Sequence, residues 1–262
     1  MMIKALFFDM DNTLVIYPRG EIPTSACNAI DSLRKQGVLI CAATGRHRVE
    51  MENIDFLQSV AFDAVAALNG QYCYCGDRDL FVNALCPQDI ETYFSRYNYP
   101  CIVSEKHRTY INYHTDAFAA AEQGIASSLP PVGDMENIAD REILQLQVYC
   151  NQAQAQALSK DLPGSKTVRW NPDFVDLISL GGDKTKGIEA ILKHFNITWA
   201  EVMAFGDGQN DIEMLKAAAI GVAMGNAEDE VKARADYVTA PANENGVALA
   251  LDIYKKVFYR KA

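Results

Sequence analysis

The chain has 262 residues, 49% of them apolar and 22% charged, and its 24 Lys and Arg against 34 Asp and Glu give a net charge of −10. So acidic a surface repels polyanions, which argues against nucleic acid and anionic membranes as partners. Asp9 and Asp11 interrupt the apolar N-terminal run, no signal-peptide core forms, and no stretch approaches the roughly 18 uninterrupted apolar residues of a membrane span, so a cytoplasmic protein is expected.

The first third reads as alternating strand and helix. Ile3–Phe8 is a short apolar run ending in polar residues, as in a strand buried within a parallel sheet. Ser25–Gln36 is predicted helical, with Pro23 and Thr24 at its start and Gly37 at its stop. Val38–Ala42 is a second buried strand, Val49–Leu57 a helix and Ala64–Leu68 a third strand. The pattern then changes. Gln71–Cys75 and Leu80–Ala84 flank Gly76 to Asp79 as a hairpin, and Pro87–Tyr97 is helical. Ile102–Ser104 and Tyr110–Tyr113 are extended, and Leu144, Leu146 and Val148 alternate with Gln145 and Gln147 as a strand with one wet face. A helix over Asn151–Lys160 precedes strands near Thr167–Trp170 and Phe174–Ile178. After Gly181 and Gly182 the parallel rhythm returns, with helices at Lys186–Phe195, Asp211–Ala218 and Glu228–Arg234 and strands at Glu201–Phe205, Ile220–Ala223 and Tyr237–Thr239. The expected fold is α/β, a Rossmann-like doubly wound parallel sheet in residues 1–82 and 182–262, interrupted by an inserted α+β domain at 83–181.

Seven cysteines include no C-x-x-C pair, and reduced, buried or half-buried thiols are the expectation, although Cys73 and Cys75 stand two apart on one strand face. Four polar segments lie where open α/β sheets place ligands, at the C-terminal ends of core strands. In Asp9-Met10-Asp11-Asn12-Thr13 the two carboxylates project to one side of an extended segment. Such a like-charged pair is costly without a nearby cation, and hard oxygen ligands suit Mg²⁺. In Thr44-Gly45-Arg46 a hydroxyl followed by glycine lets a side-chain donor and main-chain N–H groups approach an anion together. Lys184-Thr185-Lys186-Gly187 opens a helix, where a cation opposes the dipole unless an anion is near. Lys186 is preferred to Lys184 there, because it directly precedes Gly187 and the periodic part of the helix. The most specific segment is Gly206-Asp207-Gly208-Gln209-Asn210-Asp211, whose spacing lacks the alternating acids and later Glu of a calcium loop.

Together and in this order the four segments resemble the motifs of the haloacid dehalogenase superfamily. Gly225-Asn226-Ala227, Ala235-Asp236-Tyr237-Val238-Thr239 and Glu244-Asn245-Gly246-Val247 look like the C-terminal signature of its Cof-type, class IIB phosphatases, and Asn69-Gly70 is similar to that group's element before the cap. Asn12 stands where the group commonly has Gly, and Asn245 where it commonly has Asp. The inserted domain matches only in length and in strand–helix order.

The resemblance implies a Mg²⁺-dependent phosphatase acting on a small phosphate monoester, a sugar phosphate first among them. Asp9 would be the nucleophile and Asp11 the general acid and base. Asp9, Asp11 (through its carbonyl), Asp207 and Asp211 would hold the metal, with Thr44, Gly45, Lys186 and Asn210 gripping the phosphoryl oxygens. The cap would close over the site and select the leaving group. A phosphomutase would use the same core, whereas a non-catalytic binding module would be expected to lack one of Asp9, Asp11, Lys186 or Asp207. His107, Arg108, Arg169 and Trp170 in the cap are each expected at the surface or in packing. A monomer or a weak homodimer is expected, with no membrane or nucleic-acid partner.

Overall fold

The computed structural model describes residues 2–16, 19–116, 118, 129–169 and 171–258. Trp170, expected at the surface or in packing, lies outside the described residues.

The main sheet has eight strands: β1 (Ala5–Phe8), β2 (Leu39–Ala43), β3 (Ala64–Ala67), β4 (Tyr72–Cys75), β5 (Arg78–Val82), β11 (Val202–Gly206), β12 (Ile220–Ala223) and β13 (Tyr237–Val238). They lie in the order β13-β12-β11-β1-β2-β3-β4-β5, parallel from β13 to β3 and antiparallel through the β4–β5 hairpin. Both faces of β1 are buried, which is why it reads as a continuous apolar run. Leu6 and Phe8 pack on one side with α1 (Thr24–Arg34) and α8 (Gly246–Phe258), and Ala5 and Phe7 on the other with α5 (Lys184–Phe195) and α6 (Ile212–Ala217). The sheet is therefore doubly wound, as expected.

A second, five-stranded antiparallel sheet has the order β7-β6-β8-β10-β9, built from β6 (Cys101–Ser104), β7 (Thr109–Ile111), β8 (Gln145–Tyr149), β9 (Ser165–Val168) and β10 (Phe174–Ser179). Leu146, Val148, Val175 and Leu177 face a core completed by α3 (Pro87–Thr92) and α4 (Gln152–Asp161). The opposite face is not simply wet: Gln145 and Asp176 are 3% and 1% exposed, because that face is turned onto the main domain. No helix among the described residues is long and apolar enough to cross a membrane.

Three helices depart from expectation. The predicted helix from Val49 is α2 (Arg48–Asn53), which ends where Ile54 turns extended ahead of a 3₁₀ turn. The predicted helix from Pro87 loosens into a π turn at Tyr93–Tyr97 and stops at Asn98, which adopts a left-handed conformation. Most consequentially, α5 starts at Lys184, two residues before the expected Lys186, because the Asp183 side chain caps it by accepting from the Lys186 main-chain N–H at 2.9 Å.

Candidate active site

The chain runs β1, β2, β3 to one side and β11, β12, β13 to the other, so the strand order reverses between β1 and β11. Ligands of open α/β sheets bind at this reversal, beyond the carboxyl ends of the strands. Asp9 follows β1 and Asp207 follows β11, and the Asp9 main-chain N–H donates to the Phe205 carbonyl at 2.9 Å.

Asp211 is placed by its own turn. Its Oδ2 accepts from the main-chain N–H groups of Asp207 at 3.0 Å and Gly208 at 2.9 Å. A Cβ on Gly206 would lie 2.5 Å from the Asp211 side chain, so only glycine lets the carboxylate fold back. Asp9, Asp207 and Asp211 thereby present carboxylate oxygens within 4.8 Å of one another. Burial first, and the nearby Asp211 second, raise the Asp9 carboxyl well above the ordinary carboxylate range. The same causes in the same order push Asp207 up to about 7. A cluster of carboxylates this close is a fitting donor set for a hard divalent cation, and Mg²⁺ suits it.

The protein's own cation here is Lys184. Its Nζ lies 2.5 Å from Asp9 Oδ1 and 2.6 Å from Asp211 Oδ1, with the side chain 1% exposed. Burial opposes the ammonium charge, but Asp211 and Asp9 outweigh it and hold the pKa above that of an ordinary lysine. The expectation for Lys186 is corrected: it is exposed and pairs with Glu189 at 3.2 Å, one helical turn along. The cap at Asp183 sets the first turn so that Lys184, not Lys186, points back at the carboxylates.

The Asp11 carboxylate is not one of the three crowded ones. It accepts from Arg46 Nε at 3.1 Å on each oxygen and from Nη2 at 2.8 Å. Asn12 adopts φ 62°, a left-handed conformation that Gly and Asn tolerate, which accounts for the interchange of those residues at this position. Thr13 donates to Asp207 Oδ1 at 3.0 Å. Asn226 Nδ2 donates to Asp207 Oδ2 at 3.2 Å and to the Asn12 carbonyl at 2.9 Å. Gly45 lines the cavity, while Thr44 is buried behind it with its hydroxyl accepting from the Arg46 N–H at 3.1 Å. Asn210 lines the cavity too.

The cavity holds about 530 Å³ and lies between the carboxylates and a cap wall of Gln152, Arg169, Asn171 and Pro172. Arg169 therefore lies at the site, where its guanidinium donates to the carbonyls of Cys150, Asn171, Pro172 and Phe174. On the far side the cap rests on the core, with His47 Nε2 donating to the Glu105 carbonyl at 2.6 Å and Lys106 paired with Asp79.

A doubly wound core bearing four carboxylates and a buried lysine at its switch point defines a phosphoryl-transfer enzyme with an inserted cap. The sequence profile of the haloacid dehalogenase-like hydrolases matches residues 6–251, and the chain belongs to that family. The structure is similar to that of the subclass IIB sugar phosphatase BT4131, with a TM-score of 0.87 at 32% identity over 97% of this chain and 100% of that one. The Bacillus subtilis protein YkrA is 28% identical over 95% of this chain and 96% of its own length. The pyridoxal phosphate phosphatase YbhA of Escherichia coli is also 28% identical, over 95% of this chain and 97% of that protein. The chain is thus a phosphatase, a hydrolase of phosphoric monoesters.

Proposed function

We propose that this phosphatase hydrolyses a small sugar phosphate in two steps, with Asp9 as nucleophile and Asp11 as proton donor and acceptor. The observation that carries the reading is the convergence of Asp9, Asp207 and Asp211, with Lys184 paired to Asp9 and Asp211 and Asp11 two residues beyond Asp9 on the same segment. A carboxylate oxygen of Asp9 attacks phosphorus, the bond from phosphorus to the leaving oxygen breaks, and Asp11 gives that oxygen a proton. Asp11 then takes a proton from water, whose oxygen attacks the phosphorus and releases Asp9 and inorganic phosphate. Lys184, Gly45, Thr44 and Asn210 balance charge on the phosphoryl oxygens, with Lys184 in the part expected of Lys186. Arg46 holds the Asp11 carboxylate at the cavity. Asp9, Asp207 and Asp211, with the Asp11 carbonyl, would hold Mg²⁺, which supplies positive charge beside the phosphoryl group when bound.

The leaving-group side of the cavity favours a sugar. Gln152, Asn171 and Gln209 offer carboxamides suited to hydroxyl groups, and the similar BT4131 is a sugar phosphatase. Phosphate release across hexose, pentose, nucleotide, flavin and pyridoxal phosphates, with and without Mg²⁺, tests the reading. The highest kcat/KM is expected on a sugar phosphate with Mg²⁺, and a higher value on pyridoxal phosphate or a flavin overturns the substrate class. Asp9→Asn should keep the fold and lose nearly all turnover; activity above about a tenth of wild type overturns the nucleophile, since covalent catalysis has no substitute for it.

A further inference from the structure

Asn69 is 1% exposed and sits where the phosphate-side loops meet the cap. Its main-chain N–H donates to the Thr44 carbonyl at 2.8 Å. Its Nδ2 donates to Asp176 Oδ2 at 2.8 Å and to Gln145 Oε1 at 3.0 Å, on strands β10 and β8 of the cap. Its Oδ1 accepts from Asn210 Nδ2 at 3.1 Å. The cluster lies against Gly45, where an added Cβ would meet Asn69 and Asp176 at 3.4 Å.

A carboxamide turned over about its last bond exchanges donor for acceptor with almost no change of shape. Asn69, Gln145 and Asn210 could each be reversed in this way, so their polarity must come from a group that cannot be. Asp176 meets Asn69 through a carboxyl oxygen, Oδ2, that accepts. Facing Asp176, Asn69 must present its NH₂; its oxygen then faces Asn210, which must meet that oxygen with its own NH₂. One N–H of Asn210 is used in this bond, which leaves the other to donate to a ligand in the cavity that Asn210 lines with Asp9 and Gly45. Turned over, Asn210 would set a carbonyl oxygen against a phosphoryl oxygen.

We propose that Asp176 is a positioning residue of the cap which, through Asn69, holds Asn210 with its N–H toward the transferring phosphoryl group. This rests on the reading of Asn210 as a phosphate-binding residue. The donor polarity of a core loop is thus set from a cap strand, and Asn210 is correctly turned when the cap sheet is seated on Asn69.

Asp176→Asn has the same shape but can present either end to Asn69. It is expected to lower kcat/KM about tenfold and to weaken competitive inhibition by inorganic phosphate, with little change in Tm, because a hydrogen bond is reversed while the packing around it is kept. Asn69→Asp alone sets two carboxylates together and should lose both activity and stability. Combining Asn69→Asp with Asp176→Asn exchanges donor and acceptor, keeps the charge and again offers Asn210 an acceptor, so activity should return to within about threefold of wild type. Asn210→Ala should itself lower kcat/KM, and adding Asp176→Asn to it should cost nothing more, because the two act through one bond. If Asn210→Ala leaves kcat/KM unchanged, the phosphate-binding reading of Asn210 fails and the relay with it. If Asn210→Ala is impaired but Asp176→Asn is not, or the two losses multiply, the relay is refuted while the phosphate-binding reading stands. The cycle of Asp176→Asn with Asn210→Ala decides the matter even where the exchange variant does not fold.

Discussion

Replacing each lysine of the Lys184-Thr185-Lys186 segment by Met separates two roles that the sequence leaves entangled. Lys184→Met keeps chain length and apolar bulk but removes the one charge that lies 2.5 Å from Asp9 and 2.6 Å from Asp211. Stripping one partner from a buried ion pair costs about 3–5 kcal/mol. For a chain of this size each kcal/mol is worth roughly 2–4 °C, so the midpoint in EDTA should fall by about 10 °C. The loss in turnover should be larger still, about 10²–10³-fold at saturating Mg²⁺, the usual cost of removing one electrostatic stabiliser of the transferring group. Lys186→Met removes only an exposed pair with Glu189, worth under about 0.5 kcal/mol, and both Tm and kcat should stay at wild-type values. The stability deficit of Lys184→Met should also depend on pH. Asp9 and Asp207 have folded pKa values above their unfolded ones, so they stabilise the fold while protonated and lose that contribution as pH rises through the folded value. The deficit should therefore shrink near about pH 5 and grow near about pH 8. Scanning fluorimetry and phosphate release measure both effects. A Lys184→Met protein that keeps its turnover beside an inactive Lys186→Met protein would refute the placement of the active-site cation.

The same linkage makes Mg²⁺ binding visible without turnover. With its pKa at about 7, Asp207 in the metal-free protein favours the folded state when protonated, so the apoprotein should melt higher near about pH 5.5 than near about pH 8. Saturation with Mg²⁺ at about a hundred times Kd adds about 2.7 kcal/mol, and that gain should be largest at the alkaline end, where no proton has to be displaced. An equal Mg²⁺-induced shift in Tm at both pH values would show that the metal does not bind these carboxylates. Gly70→Ala should cost several kcal/mol together with most of the activity: Gly70 has φ +84°, and an added Cβ would stand 2.2 Å from the Asp183 carbonyl, displacing the helix start that aims Lys184. A Gly70→Ala protein with unchanged Tm and kcat in the same two assays would count against that account.

The core was legible because its central strands, β1, β2, β3 and β11, are buried on both sides. Ala5 to Phe8 and Val202 to Gly206 are apolar throughout, and the first polar residue after each, Asp9 and Asp207, is where the apolar run ends and the site begins. A pattern in one dimension therefore carried both the fold and the carboxylates. The cap sheet was harder to read, because alternation in β8 marks a polar face without saying what covers it. Gln145 looks ready for water, yet it is buried against Asn69. The orienting residues were harder again. Thr13 bonds Asp207 from 194 residues away and Asn226 from 19, and neither carries a local signal beyond its place in a motif.

Lys184 shows where local reasoning misled. Weighing the two lysines by proximity to the periodic part of α5 favours Lys186, since periodicity reports the apolar stripe of a helix. A helix begins at its cap, however, and Asp183 moves the first turn two residues toward the N-terminus. A lysine in a first helical turn opposes the helix dipole, a local conflict that tertiary contact has to offset. Lys186 lies in the solvent with Glu189 for company, whereas Lys184 is enclosed by Asp9 and Asp211. The more buried of the two misplaced charges is the one whose conflict the fold resolves, and it resolves it with the carboxylates that make the site.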